Sequence, residues 1–92
     1  MPFYVYIIQS ETDGSFYKGF SEDPSKRLIQ HNNGESRYTA LKRPWKLVYV
    51  EELPTKKEAL KMEKNLKKAT LERISALLIH PKNILDKIIN KD

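Results

Sequence analysis

The sequence predicts an α+β domain in which helices flank a small three-stranded antiparallel sheet. Two observations predict this fold class. Short runs of aromatic and β-branched residues, typical of strands, lie near the amino terminus and again after Pro44. Elsewhere, apolar residues recur at intervals of three or four, which indicates helices that bury one face. The resulting order is ββαβα with a helical tail, and we expect the helices to cover the sheet.

Three segments are predicted to form the strands. Residues 3–9 and 16–20 are rich in aromatic and β-branched side chains and flank a turn that contains Asp13 and Gly14, so we expect an antiparallel pair. Residues 46–51 have a similar composition and form the third strand.

Capping and stop signals delimit the helices. Asp23 and Pro24 begin a short helix over residues 25–32, because Asp caps a helix and proline suits its first turn. Thr55 and Glu58 form a capping box that opens a longer helix ending near Lys68. Apolar residues at helical spacing continue on both sides of Pro81 and predict the helical tail: Leu71, Ile74, Leu77, Leu78, Ile84, Leu85, Ile88 and Ile89.

Length and composition exclude several classes of protein. With 92 residues, of which 39% are hydrophobic, we expect one domain over residues 1–92, with its core in 3–68 and its tail in 69–92. The absence of cysteine excludes disulfide scaffolds, zinc ribbons and thiol catalysis. The longest apolar run, residues 3–8, is too short to span a bilayer, so we expect a cytoplasmic protein without membrane contact.

Positive charge is concentrated in the middle of the chain. The formal net charge is +5, and residues 35–73 alone contain eleven basic and six acidic side chains. Such a patch attracts polyanions, of which nucleic acid is the foremost candidate. A solvated, solubilising surface is the alternative.

Glu63 is out of place in the helix that follows Thr55. At 100° per residue it falls on the apolar face, whereas Lys57, Lys61, Lys64 and Lys68 lie opposite. A carboxylate turned toward the core needs a cation, hydrogen bonds or a metal. It therefore forms either a partly buried salt bridge with a lysine or a ligand for Mg²⁺ or Mn²⁺, which need few protein ligands.

Arg27 and His31 are four residues apart and project from one side of the first helix. An arginine beside a histidine suits a phosphate, because the guanidinium binds two oxygens and the imidazole donates or carries a proton. The alternative is a solvated helix face.

Aromatic residues form a second candidate group. Tyr4 and Tyr6 share one face of the first strand by two-residue alternation, and Gly19 follows Tyr17 on one face of the second strand, where it permits a close approach. Tyrosines in a small sheet are often core residues with an exposed hydroxyl. A loop then combines rings and cations suited to nucleic acid, with Trp45 as a possible core residue: Arg37, Tyr38, Lys42, Arg43 and Lys46.

These residues together resemble the GIY-YIG nuclease domain, and in particular its small stand-alone members. The resemblance covers residues 3–68 and comprises Tyr4-Val5-Tyr6, Tyr17-Lys18-Gly19, Arg27, His31 and Glu63. It implies metal-dependent phosphodiester cleavage. In the implied roles, Tyr17 activates water and Tyr6 helps or positions it, Arg27 stabilises phosphoryl charge, His31 moves protons or holds phosphate, and Glu63 binds one Mg²⁺ or Mn²⁺ ion.

The sequence departs from the family pattern in three places. Tyr4 replaces the glycine of the first triplet, and Lys18 replaces an apolar residue of the second. Strand alternation places Lys18 on the face opposite Tyr17. A late asparagine of some family members has no counterpart that can be assigned, although Asn65 is present.

The expected function is endonuclease cleavage of nucleic acid, DNA in preference to RNA, in repair or processing. The protein is expected to be a monomer or weak homodimer, with a possible protein partner that supplies specificity. Two alternatives are a nucleic-acid-binding module of the same fold without turnover, and an adaptor whose apolar tail, residues 71–89, docks a larger enzyme.

Overall fold

The computed structural model describes residues 2–89, apart from the side chain of Ile89, and confirms the α+β class. The elements follow in the order β1 (Phe3–Ser10), β2 (Phe16–Ser21), α1 (Pro24–Asn32), α2 (Arg37–Ala40), β3 (Trp45–Leu53), α3 (Lys56–Lys67), α4 (Leu71–Leu78) and α5 (Leu85–Ile89). The part of the predicted tail beyond residue 89 and the predicted apolar contact of Ile89 lie outside the described residues.

The strands form an antiparallel sheet in the order β2-β1-β3, so β1 is central. Residue alternation in β1 divides the core into two layers. Val5 and Ile7 pack with α3 and α4, and Tyr6 and Ile8 face the layer that includes α1 and α5. Two layers of helices on a small sheet thus bury both faces of β1.

Side-chain caps mark the starts of three helices, and two of these caps lie where the sequence predicts them. Asp23 accepts a hydrogen bond from the backbone N–H of Lys26 at the start of α1, and Thr55 accepts one from Glu58 at the start of α3. Thr70 caps α4 in the same way and is an additional cap.

The largest differences from the prediction are the bounds of β3 and one additional helical turn. Strand β3 begins at Trp45 and ends at Leu53, rather than spanning 46–51, because its pairing with β1 continues along the whole central strand. Residues 37–40, expected as loop, form the helical turn α2. A four-residue helix is too short to produce a periodic pattern in the sequence.

The tail packs on its own domain. Ile74 is buried in the layer under α3, and Leu85 and Ile88 pack against the opposite layer. The apolar stripe on which the adaptor hypothesis depends is therefore largely covered, although Leu71 is exposed. Within residues 2–89, none of the helices combines the length and the apolar character that crossing a membrane requires.

Candidate active site

Tyr6 and His31 meet on the face of the sheet that α1 covers. The Tyr6 hydroxyl lies 2.9 Å from His31 Nε2, and both side chains are buried. Tyr6 is paired with Gly19 on β2, and a Cβ atom built at Gly19 would lie 2.5 Å from the Tyr6 hydroxyl oxygen. Gly19 thus provides the space that the Tyr6 ring occupies, in agreement with the close approach expected there.

The other nitrogen of His31 has a partner on α2. His31 Nδ1 lies 2.7 Å from Thr39 Oγ1, and Thr39 is fully buried. The Trp45 indole N–H donates to the Thr39 carbonyl oxygen at 2.9 Å. Trp45 is itself buried and is a core residue. Because both ring nitrogens are occupied, His31 is not part of a solvated helix face.

Tyr17 forms the centre of an aromatic cluster beside this pair. Its ring centroid lies 5.2 Å from that of His31 with an edge-on orientation, 5.7 Å from that of Tyr38, and 6.4 Å from that of Trp45. Tyr17 is half-buried, whereas 81% of Tyr38 is exposed. The cluster therefore leads from the buried histidine to the protein surface.

Burial and charge alter the acid–base properties of the pair. Burial, followed by the proximity of Tyr17, raises the pKa of Tyr6 to about 12, although the positive charge and hydrogen bonding of Arg27 oppose this rise. Burial, followed by the charge of Arg27, lowers the pKa of His31 to about 4. At neutral pH the site consequently contains a neutral phenol and a neutral imidazole.

Arg27 is half-buried on α1, one turn before His31. Its Nη1 atom donates to Gln30 Oε1 at 2.9 Å, which restrains the side chain. Because its charge acts on both Tyr6 and His31, Arg27 lies close to the pair. A phosphate at this position would encounter a guanidinium that is already oriented.

Glu63 is on α3, and its side chain is only 17% exposed. Within residues 2–89, its ion-pair partner is Lys67, at 3.9 Å between Nζ and Oε1, which is too long for a strong hydrogen bond. The salt-bridge interpretation is thus observed in a weak form. Lys67 lines two adjoining clefts, one with Glu63 and the other with Tyr17 and Tyr38, so it connects the carboxylate to the aromatic cluster.

The side chains around Glu63 fit a divalent ion only if few of them bind it. No group of three or more histidine or acidic side chains that could hold a metal occurs within residues 2–89. A single, partly accessible carboxylate is suited to Mg²⁺ or Mn²⁺, since such ions keep most of their water ligands. A metal bound by several protein side chains does not fit.

Some of the cations expected to bind nucleic acid are exposed, whereas others already have partners. Tyr38 joins the aromatic cluster, and the side chains of Arg37 and Lys46 are exposed. Lys42, by contrast, forms an ion pair with Asp13 at 3.5 Å, and Arg43 Nε donates to the Ala40 carbonyl oxygen at 2.6 Å. Both residues are tied to neighbouring segments.

Two residues of the site had no role in the sequence interpretation. Thr39 gives no chemical signal, because a threonine in a basic segment is common and only the fold brings it to His31. Lys67 is one of many lysines on α3. Its spacing of four from Glu63 was the available signal, since such pairs lie on one side of a helix.

Lys18 and Asn65 are located as strand and helix geometry require. Lys18 pairs with Ile7 and Tyr17 with Ile8, so the lysine and the tyrosine lie on opposite faces of edge strand β2. Asn65 is exposed on α3. Asn83, in contrast, is engaged in hydrogen bonds to β3 and holds the tail.

Comparisons with known proteins agree with this arrangement. A family model described as the GIY-YIG catalytic domain matches residues 2–74. UPF0213 protein SSP2268 of Staphylococcus saprophyticus is 49% identical over 65 residues, which are 70% of this chain and 78% of the relative. UPF0213 protein SERP0126 of Staphylococcus epidermidis is 45% identical over 71 residues, or 76% of this chain and 85% of the relative.

A solved structure is also similar over the full length. The solution NMR structure of UPF0213 protein BH0048 from Bacillus halodurans has a TM-score of 0.58 and 28% sequence identity, and the match covers 100% of this chain and 98% of the other. The family match spans both tyrosine triplets, α1 and α3, which contain the residues of the site. The chain therefore belongs to the GIY-YIG catalytic domain family.

Proposed function

We propose that this protein is an endonuclease that hydrolyses phosphodiester bonds of nucleic acid with the aid of one divalent ion. The observation that carries the proposal is the meeting of Tyr6, Tyr17 and His31 on one sheet face, beside Arg27. The cleft of Tyr17 shares Lys67 with the cleft of Glu63. Membership of a family of catalytic nuclease domains supports the same reaction.

The two tyrosines have different tasks in this proposal. Tyr6 keeps its proton, because burial holds its pKa at about 12, and it acts as a positioning group. Tyr17 is half-buried and lines the open cleft, so it can reach a water molecule and act as the base. A phenol needs a nearby cation for this task, since its reference pKa is near 10.

The charged residues act on the phosphate. Arg27 donates to the phosphoryl oxygens and stabilises negative charge as it develops in the transition state. His31 has no free ring nitrogen, so of its two implied roles proton movement through Tyr6 is favoured over phosphate binding. Glu63 would hold Mg²⁺ or Mn²⁺, which when bound supplies Lewis-acid stabilisation of the phosphate.

Nucleic acid would be bound by two surfaces, one at each of the two clefts. The first is the α2 region with Tyr38, whose exposed ring can stack on a base. The second is the lysine face of α3, which we define as Lys57, Lys61, Lys64 and Lys68. All four are exposed, and within residues 2–89 none has a carboxylate oxygen within 4.0 Å. Cations without partners are available to phosphates.

Cleavage assays test the proposal directly. The purified protein is incubated with labelled single-stranded, duplex, flapped and branched DNA and with matching RNA, in Mg²⁺, Mn²⁺ or EDTA. We expect metal-dependent cuts that Glu63→Ala, Arg27→Ala and Tyr17→Phe each abolish while binding is retained. Glu58→Ala is the matched control, because Glu58 is an exposed glutamate on the same helix. Metal-independent cutting, or equal loss in the control, would refute the assigned roles.

The second candidate is a nucleic-acid-binding module without turnover. The ion pair of Lys67 with Glu63 favours it, because the ammonium can neutralise the carboxylate without a metal. Binding of some substrates with no cleavage of any under every metal condition would support this alternative. In that case Lys67→Gln should not create metal-dependent cleavage.

A further inference from the structure

Thr39 is the one buried polar side chain of the site whose purpose the proposed reaction leaves open. It is fully buried, although it is in a helical turn between exposed basic residues. Its hydroxyl oxygen lies 2.7 Å from His31 Nδ1 and 3.4 Å from the Ser36 carbonyl oxygen. A threonine hydroxyl has one proton to donate and can accept at the same time. Its orientation therefore decides which nitrogen of His31 has the proton.

Two proton arrangements are compatible with the distances. In the first, Thr39 donates to the Ser36 carbonyl oxygen and accepts from His31 Nδ1–H, so that Nε2 is unprotonated and accepts the Tyr6 hydroxyl proton. In the second, Thr39 donates to Nδ1, and Nε2–H donates to Tyr6. The hydroxyl proton of Tyr6 then requires another acceptor.

The first arrangement satisfies more of the buried groups. Within residues 2–89, His31 Nε2 is the group found at hydrogen-bond distance that can accept the Tyr6 hydroxyl proton. The nearby cation, Arg27, has only donors and cannot accept that proton. Buried donors without acceptors are costly. Among the observed hydrogen bonds, every donor from Tyr6 to Ser36 has an acceptor only in the first arrangement.

We propose that Thr39 is a positioning residue, which holds His31 in the Nδ1–H form and thereby directs the hydroxyl proton of Tyr6 toward His31. Tyr6 then presents only oxygen lone pairs to the site, so it accepts hydrogen bonds from Arg27, from water or from the Tyr17 hydroxyl. This inference rests on the proposed nuclease function for its effect on rate, but the state of His31 can be measured without any cleavage.

Nitrogen-15 NMR of His31 in the unmodified protein is the primary test. Couplings from the ring protons identify the protonated nitrogen, and we expect it to be Nδ1 at neutral pH. The Thr39→Val variant removes the hydroxyl at nearly constant shape and should shift the proton to Nε2. Thr39→Ser retains the hydroxyl and should keep it on Nδ1. An unmodified protein with the proton on Nε2 would overturn the proposal, whether or not either variant folds.

Cleavage provides the second readout. Thr39→Val should reduce the rate by about 10- to 100-fold, by analogy with groups that orient metal-binding histidines, and Thr39→Ser should restore most of it. Equal rates for the valine variant and the unmodified protein would also overturn the proposal. If the unmodified protein cleaves nothing while Nδ1 is protonated, the nuclease function fails and the role of Thr39 in holding His31 stands.

Discussion

Gly19 determines how the central residue of the site is accommodated. The Tyr6 hydroxyl occupies the space that a side chain at position 19 would fill, since a Cβ atom there would be 2.5 Å from its oxygen. This contact joins the two triplets of the family motif physically. The tyrosine of the first triplet needs the glycine of the second.

Substitution of Gly19 by alanine should therefore displace Tyr6 from His31. We expect a stability loss of about 1–3 kcal/mol from overpacking and a cleavage rate lower by up to about 100-fold from misplacement. Gly14→Ala is the control, because Gly14 has a positive φ of 77° but no atom within 4 Å of its Cβ position. It should reduce stability and leave cleavage per folded molecule unchanged. Equal activity of Gly19→Ala and the unmodified protein would show that the contact is unimportant.

The buried, neutral state of His31 makes stability dependent on pH. Its pKa falls from 6.5 to about 4 on folding, first because of burial and then because of Arg27, so the unfolded chain binds more protons between these values. The free energy of unfolding should consequently decrease as the pH falls from 6.5 toward 4. Urea unfolding at several pH values measures this slope, and His31→Gln should be flatter over the same window. Parallel slopes for the two proteins would contradict the assignment.

The sequence indicated which side chains form the site but not which hydrogen bonds they make. The spacing of Arg27 and His31 indicated one helix face, and the position of Glu63 on an apolar helix face marked it as a candidate. The family resemblance pointed to the roles of Tyr6 and Tyr17. Burial of both His31 nitrogens could not be predicted, because it depends on Thr39, which reaches the ring only through the turn α2.

The lysine face of α3 is the clearest candidate for binding phosphates. Two of its cations, Lys61 and Lys64, line the cleft of Glu63, whereas Lys42 and Arg43 already have partners. The sequence assigned binding to the loop, since rings and cations are mixed there. Only the structure shows which of these cations already have partners and which remain available to phosphates.

Loss of two cations from the lysine face should weaken binding measurably. For Lys61→Gln combined with Lys64→Gln, we expect lower affinity and a plot of log K against log salt that is shallower by about 0.9 per lost phosphate contact on duplex DNA. Lys42→Ala combined with Arg43→Ala should have a smaller effect. Lys82→Gln combined with Lys87→Gln, in the tail, is the charge-matched control. Titration of labelled DNA at several salt concentrations measures each slope, and an unchanged slope in the α3 variant would place the phosphates elsewhere.

The strands and longer helices could be predicted because their signals are local. Caps at Asp23 and Thr55 determine where α1 and α3 begin. The extension of β3 from Trp45 to Leu53 could not be read in the same way, because it depends on pairing with β1. Short helical turns such as α2 likewise depend on tertiary contacts more than on propensity.

The tail closes one edge of the sheet. Asn83 Oδ1 accepts from the Val50 backbone N–H, its Nδ2 atom donates to the Val48 and Leu78 carbonyl oxygens, and the Ile84 N–H donates to the Val50 carbonyl oxygen. These bonds satisfy backbone groups of edge strand β3 that could otherwise pair with another chain. The tail thus has a structural task within the domain, which weakens its interpretation as a docking segment.

Removal of the Asn83 side chain should expose that edge. We expect Asn83→Ala to lower stability by about 2–3 kcal/mol, since buried backbone groups lose their partners. It should also associate in a concentration-dependent manner, while the unmodified protein elutes as a monomer. Asn65→Ala is the control, because Asn65 is an exposed asparagine on α3. Gel filtration with light scattering over a range of concentrations measures the association. A stable, monomeric Asn83→Ala protein would mean that the apolar contacts of Leu85 and Ile88 hold the tail in place without this asparagine.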